Sequence, residues 1–179
     1  MRGTPLTVIS RATSVIVAGM TDDEARFAYL AEGNAKQARK RVAADLLIRD
    51  EAGRILLVNP TYKENWDLPG GMAESNEPPK AAGERELAEE LGLTVLAGRV
   101  LLLDWIGPHG PWDDQLVFIF DGGTLSATQV ETISICDPEI SEFAFVELAE
   151  AKAMLRPDMA QRLARAHDAL ATGATDYSE

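Results

Sequence analysis

The stretch that decides the fold is Gly70–Leu93, which reads GGMAESNEPPKAAGERELAEELGL. A loop rich in glycine, proline and acidic residues leads into an Ala-, Glu- and Leu-rich segment, and this change predicts a helix from about Pro78 to Leu91. Proline in the first turn and Gly92 just past the last leucine are typical of the two ends of a helix. The sequence therefore predicts a loop that leads directly into a helix.

Three glutamates of the predicted helix share one face. At about 100° per residue, Glu86, Glu89 and Glu90 fall within an arc of roughly 100°. Their like charges repel one another, at a cost of roughly 0.2–0.5 kcal/mol for the i, i+4 pair. A hard divalent cation reverses this effect, because Mg²⁺ prefers oxygen ligands such as carboxylates. The alternative interpretation of the helix alone is a solvated charged face.

The loop before the helix adds further candidate groups. Gly70 and Gly71 allow the backbone to turn tightly and to offer a carbonyl to a metal or an amide to a phosphate. Glu74 and Glu77 add two carboxylates, and Arg85 can hold either of them in a partly buried ion pair. Loop and helix together favour a site over a solvated face.

The spacing of these residues resembles the Nudix box. Gly71, five further residues, Glu77, seven further residues and then REL-x-EE-x-GL at Arg85–Leu93 agree with every specified position of that motif. The aromatic-x-Leu-Pro-Gly-Gly segment at Trp66–Gly71 and the order of predicted strands extend the resemblance to about residues 40–155. The resemblance implies the α/β fold of the Nudix hydrolases, an α/β/α sandwich in which helices flank a mixed sheet.

The same resemblance implies an activity and a set of metal ligands. The activity is hydrolysis of a nucleoside diphosphate linked to another moiety, X, by attack of water at phosphorus with Mg²⁺ or Mn²⁺. Bound metal ions neutralise the diphosphate and lower the pKa of the attacking water. The implied residues are three carboxylate ligands, a backbone carbonyl ligand and a structural ion pair: Glu86, Glu89 and Glu90; Gly70 or Gly71; and Arg85 with Glu77.

A carboxylate has to take the proton of the attacking water. In the family this base is either a glutamate of the box, here Glu86 or Glu89, or a residue of a loop before the last strand. Glu139 and Glu142 precede Phe143–Val146, where such a loop is expected, and Glu139 is preferred. Two acidic residues at the start of an earlier predicted strand are weaker candidates: Asp113 and Asp114.

Signals for the substrate are sparse. Pro108 lies fifteen residues past Leu93, as a proline does in some Nudix hydrolases that act on ADP-ribose, and a plain turn is the alternative. The tyrosine associated with dinucleoside polyphosphates is absent from the positions that follow. Tyr62 and Trp66, before the box, are candidate substrate contacts together with Pro108. Two more aromatic residues are able to stack on a base: Trp105 and Trp112.

Three other functions stay open at this point. A pyrophosphohydrolase of nucleoside triphosphates and a nucleotide sensor without activity both use this fold. The intact set of box glutamates argues against the sensor. An isoprenoid diphosphate isomerase needs a catalytic cysteine, and Cys136 lies far along the chain in a predicted loop.

We divide the chain into an N-terminal extension at 1–39, the main domain at 40–172 and a tail at 173–179. In the extension, 13–18 is predicted to be a strand and a candidate contact of a homodimer, and Met20 is an alternative start of the chain. Thr21-Asp22-Asp23-Glu24 predicts a capped helix to about residue 31 that resumes after Gly33 as far as residue 39. Further predicted strands lie at 42–48, 54–58, 95–105, 115–121 and 143–146, and helices at 147–155 and 158–170.

The composition narrows the classes of partner. The 179 residues are 46% hydrophobic and 26% charged, with a net charge of −12, which disfavours wrapping of a nucleic acid backbone. No apolar run reaches the roughly 18–20 residues that a membrane helix needs. One cysteine and two histidines exclude an internal disulfide and a Cys/His zinc cluster. We expect a cytoplasmic protein that binds a small nucleotide.

Overall fold

The computed structural model describes residues 21–179, in which seven strands form one mixed sheet. The strands are β1 (Arg41–Asp50), β2 (Ile55–Pro60), β3 (Gly70–Met72), β4 (Val100–Ile106), β5 (Gln115–Leu125), β6 (Ile140–Val146) and β7 (Asp176–Ser178). The helices are α1 (Asp22–Ala35), α2 (Pro79–Leu91), α3 (Ala127–Val130), α4 (Leu148–Met154) and α5 (Pro157–Thr172). The strand order is β6-β2-β1-β5-β4-β7, and β3 pairs with β1 beside this path.

The first strand has partners on both edges, and this arrangement positions the glycine-rich loop. Along its length, β1 pairs with β5 in parallel. The opposite edge is shared, because Arg49 pairs with Ile55 of β2 while Asp45 pairs with Gly70 of β3. The backbone N–H of Leu46 also donates to the Pro69 carbonyl at 2.9 Å. The predicted hairpin is thus present, and the two glycines of the loop lie against the centre of the sheet.

Alternate residues of β1 point into two cores. Ala44, Leu46 and Ile48 pack with Leu87 and other residues of α2 on one face of the sheet. Leu47 packs with residues of α4 and α5 on the other face. Helices therefore cover both faces, and the α/β/α sandwich is confirmed.

Contacts within the chain divide it into two units, Met1–Arg39 and Lys40–Glu179. In the first unit, the predicted capping box is present: the Thr21 hydroxyl accepts from the Glu24 N–H (3.3 Å), and the Glu24 carboxylate accepts from the Thr21 N–H (2.7 Å). The predicted break at Gly33 is wrong, because α1 continues through it. One glycine costs a helix only about 1 kcal/mol. The strand predicted at 13–18, with its dimer contact, lies outside the described residues.

Several boundaries in the main unit differ from the prediction. β4 begins at Val100 instead of residue 95, and β5 continues past two glycines as far as Leu125. The segment predicted as a tail at 173–179 contains β7, which pairs in parallel with β4. A strand of three mostly polar residues is too short for alternation to be detected. Within residues 21–179, no helix has the length and apolar character that crossing a membrane requires.

Candidate active site

Helix α2 is fixed on the sheet by its apolar side. Leu87 and Leu91 are fully buried against β1, and the residues after the helix also hold its C-terminal end. The carbonyls of Leu91 and Glu90 accept from the N–H groups of Ser134 (3.1 Å) and Cys136 (2.9 Å). These bonds satisfy carbonyls that a helix end leaves unpaired. The orientation of α2 is therefore set, and its glutamates face the loop at β3.

The two glycines of β3 let the backbone approach these glutamates closely. The Gly70 N–H donates to Oε2 of Glu90 at 3.2 Å. A Cβ on Gly71 would lie 2.6 Å from Cδ of Glu86, so a larger residue there would displace that carboxylate. The loop and the helix thus form one cluster around Glu86 and Glu90.

Burial makes this cluster electrostatically unfavourable without a cation. Glu90 is 9% exposed, and burial raises its pKa to about 8 although the Gly70 N–H favours the charged form. Burial also raises the pKa of Glu86, against the effect of Arg85. A bound divalent cation would favour the charged form of both groups. The hard oxygen donors present here fit Mg²⁺ or Mn²⁺.

Arg85 joins the loop to the helix. Its Nε and Nη2 donate to the two carboxylate oxygens of Glu77 at 2.9 and 3.0 Å, and Nη2 also donates to the Met72 carbonyl at 3.2 Å. Of the two partners that the sequence left open, Glu77 is the one that pairs. Glu74 instead donates its backbone N–H to Glu77 at 2.8 Å. The charge-assisted pair lowers the pKa of Glu77 to about 2.

The same guanidinium also holds two glutamates of α2. Nη1 of Arg85 donates to Glu86 at 3.0 Å and to Glu89 at 2.8 Å. Across residues 21–179, no three Asp, Glu, His or Cys side chains converge on one point as a ready cation site. Arg85 uses one oxygen of each carboxylate, so the second oxygen of Glu86 and of Glu89 stays available to a divalent cation.

A family model described as a NUDIX domain matches residues 39–169 of the chain. The chain belongs to the Nudix hydrolase family. Diphosphoinositol polyphosphate phosphohydrolase 2 of Rattus norvegicus is 38% identical over 68 residues, which are 37% of this chain and 38% of that protein. This chain therefore matches less than two fifths of the length of that relative.

Solved Nudix structures are similar over more of the chain. The MutT protein from Methanosarcina mazei Go1 is 26% identical with a TM-score of 0.59, over 72% of this chain and 97% of that one. A UDP-X diphosphatase is 19% identical with a TM-score of 0.65, over 89% of this chain and 76% of that one. At that identity, the second likeness concerns the fold alone.

A third acidic residue of the loop before β6, beside Glu139 and Glu142, acts electrostatically on the Nudix box. Asp137 follows Cys136, and its negative charge contributes to the raised pKa of Glu90. The carboxylate of Glu142 instead accepts from Nδ2 of Asn59 at 2.9 Å, on an exposed part of the sheet. Glu139 is fixed through its backbone carbonyl, which accepts from the Thr61 N–H at 2.7 Å. The only sequence signal for Asp137 was its acidic character within the same loop.

Of the two weaker acidic candidates, Asp114 forms contacts outside the Nudix box. Its carboxylate pairs with Lys40 and accepts from Nε1 of Trp105 at 3.1 Å. Asp113 is exposed next to it. Neither residue lines the cavity beside the Nudix box.

A cavity of about 180 Å³ adjoins the Nudix box, and it contains only some of the predicted substrate contacts. Tyr62 lines it together with both glycines of β3 and Glu90. Trp66 is half-buried and packs against the core beneath α4 and α5, while Pro108 lies in a loop away from the cavity lining. Two acidic residues that the sequence did not assign to a site also line this cavity: Asp45 and Asp67.

Replacing Arg85 with glutamine should lower both stability and activity. The substitution leaves the carboxylate of Glu77 without its partner and releases the loop from α2. We expect Tm at pH 7 to fall by about 5 °C and turnover to fall at least about tenfold. An unchanged Tm would count against the structural role of the pair.

The difference in Tm between the wild type and Arg85→Gln should depend on pH. The pKa of Glu77 is lowered from its ordinary value of 4.5 to about 2 in the folded state, so the pair stabilises fully above pH 4.5 and its effect is lost as the pH falls toward 2. The gap in Tm between the wild type and Arg85→Gln should therefore shrink below about pH 4. Thermal scans from pH 7 to pH 3 measure it.

Proposed function

We propose that this chain is a divalent-metal-dependent hydrolase that cleaves the diphosphate bond of a nucleoside diphosphate linked to X. The observation that carries the proposal is the placement of Glu86 and Glu90 against the glycines of β3, with Glu89 held on the same helix by Arg85. Membership of the Nudix hydrolase family and the likeness in fold to a UDP-X diphosphatase support it. ADP-ribose and nucleotide sugars are the substrates we propose first.

In this proposal, each part of the cluster has a distinct task. Glu86 and Glu90, with a backbone carbonyl of Gly70 or Gly71, would hold Mg²⁺ or Mn²⁺ beside the cavity. When bound, the cation neutralises the diphosphate and lowers the pKa of the attacking water. Glu89 has the most exposed of the three carboxylates, with 56% of its side chain accessible, so it is best placed to reach a water molecule and accept its proton.

Arg85 would position the site and not react itself. Its bonds to Glu77 and to the Met72 carbonyl hold β3 and its glycines at a fixed distance from α2. Displacement of reacting groups by about 1 Å can cost a hundredfold in rate. The arginine therefore contributes to catalysis through geometry.

A substrate panel tests the proposed reaction. Purified protein with Mg²⁺ or Mn²⁺ is offered ADP-ribose, NADH, dinucleoside polyphosphates, nucleotide sugars and nucleoside triphosphates, and the products are separated by chromatography. We expect release of a nucleoside monophosphate from ADP-ribose or a nucleotide sugar. EDTA should abolish this release, and either cation should restore it.

Two outcomes would replace the proposal. Pyrophosphate released from nucleoside triphosphates alone would identify an enzyme that clears the triphosphate pool. No cleavage, together with a rise in Tm on addition of a nucleotide, would identify a sensor. In both cases Glu150→Gln, which removes an exposed helical charge outside the site, serves as the control variant.

A further inference from the structure

The first residue of β1, Arg41, is a half-buried cation without an anion. Among residues 21–179, no carboxylate pairs with its guanidinium, although the chain has a net charge of −12. Nη1 is shielded from solvent and has no hydrogen-bond acceptor. Nη2 lies 3.9 Å from Sδ of Met72, and a thioether is a weak acceptor. Because an unpaired buried donor is costly, stability alone does not explain an arginine at this position.

An aromatic ring holds this guanidinium in place. Cζ of Arg41 lies 4.6 Å from the centroid of the Trp112 ring, in the loop before β5. That loop has its own backbone support, because His109 and Trp112 exchange N–H to carbonyl bonds of 3.0 and 2.9 Å. A guanidinium stacked on a ring face keeps the donors along its edge free for a ligand. The Arg41–Trp112 pair is therefore a preorganised donor group.

The pair lies next to the cavity beside the Nudix box. Ala43 follows Arg41 by two residues on the same face of β1 and lines the cavity. Gln115, the partner of Arg41 on β5, lines it as well. Met72, whose sulfur faces Arg41, is a third lining residue and directly follows Gly71. The unpaired guanidinium is thus separated from the proposed diphosphate site by one side chain.

We propose that Arg41 binds a phosphate group of the substrate and that Trp112 positions the guanidinium for this contact. The inference rests on the proposed function for its substrate class. Phosphate oxygens accept two parallel N–H bonds from one guanidinium, which a sulfur atom cannot do. The side chain of Met72 is flexible and 39% exposed, so it can move aside for a phosphate. Arg41 would then supply positive charge to an anionic substrate from outside the metal cluster.

Calorimetry with methylenediphosphonate in MgCl₂ tests the contact. This probe has two phosphonate groups joined by a carbon that water does not displace, and it has no base or sugar, so it reports binding of the phosphates alone. We expect Arg41→Gln to bind it at least about tenfold more weakly than the wild type does. The protein should stay folded, because the substitution removes a donor that has no acceptor. Equal affinities, or no binding to the wild type, would overturn the proposal.

Arg54→Gln is the matched control. It removes the same charge from a residue that pairs with Asp50 beyond the other end of β1, outside the cavity lining. Its affinity for methylenediphosphonate should equal that of the wild type. An equal loss of affinity in Arg54→Gln and Arg41→Gln would show an effect of net charge alone and would overturn the contact.

Substitutions at the ring test the positioning role. Trp112→Phe keeps an aromatic face under the guanidinium, and Trp112→Leu removes it. We expect Trp112→Leu to bind methylenediphosphonate about threefold or more weakly than the wild type, and Trp112→Phe to recover most of the affinity. Wild-type affinity in a folded Trp112→Leu protein would overturn the role of the ring.

Turnover separates this proposal from the proposed function. If the best substrate of the panel is hydrolysed by the wild type and by Arg41→Gln with equal kcat/KM, and methylenediphosphonate binds equally, the hydrolase assignment stands and the role of Arg41 fails. If no substrate is hydrolysed but binding of methylenediphosphonate depends on Arg41, the role of Arg41 stands and the hydrolase assignment fails.

Discussion

Glu89→Gln should reduce kcat by at least about a hundredfold while the protein remains folded. Glutamine has almost the same shape as glutamate, but its neutral amide has no negative charge to stabilise a cation and does not act as a base. The side chain is largely exposed and its contact is an i, i−4 ion pair with Arg85, so its loss costs little stability. We therefore expect a change in Tm of less than about 2 °C.

Steady-state kinetics on the best substrate of the panel, with Tm measured on the same preparation, checks this prediction. Glu150→Gln removes a comparable charge from an exposed helix and should keep the wild-type rate. A folded Glu89→Gln protein with wild-type kcat would remove Glu89 from the catalytic set. If Tm fell sharply instead, the ion pair with Arg85 would be structural.

The second large effect is expected on stability, at Gly70. This residue has φ of +144°, which side chains other than hydrogen rarely allow, and a Cβ there would meet the Ala44 carbonyl oxygen and lie 2.7 Å from Cα of Asp45. Both neighbours belong to the central strand and cannot move away. Strain and overpacking together should make Gly70→Ala about 3–5 kcal/mol less stable than the wild type.

Gly53→Ala is the matched control for this prediction. Gly53 also has a positive φ, of +82°, but a Cβ there would meet nothing within 4 Å. It should therefore lose only about 1 kcal/mol, from backbone strain alone. Unfolding in urea gives both free energies. Equal losses at the two positions would show that β3 adjusts its pairing with β1.

The sequence sufficed for those parts of the site that lie close together along the chain. The spacing from Gly71 to Leu93 predicted the helix, its end and an ion pair of Arg85 with Glu74 or Glu77, because local spacing determines which side chains of one helix and its preceding loop meet. The choice of Glu77 came from the resemblance to the Nudix box. The motif also identified the family, and the family implied the fold. These features depend on few long-range contacts.

Other parts of the site depend on contacts between distant segments. Asp45 was visible only as an exception in an apolar strand, and its position beside Asp67 and Glu90 follows from how three elements meet. Trp66 belongs to the lead-in of the box, yet it packs beneath α4 and α5. The charge of Asp137 acts on Glu90 because the preceding residues of its loop bond to the end of α2. No sequence pattern within one segment predicts contacts between segments that are far apart along the chain.

The parallel pairing of β1 with β5 has a consequence for the order of folding. β1 is complete at Asp50, but its partner along most of its length begins only at Gln115. Closing a loop of this length costs entropy before any contact stabilises it, which slows folding. During synthesis on the ribosome, the part of the sheet that holds Gly70 and Gly71 against β1 therefore stays incomplete until β5 has emerged. Chains that stop before β5 will expose an unpaired edge of the central strand.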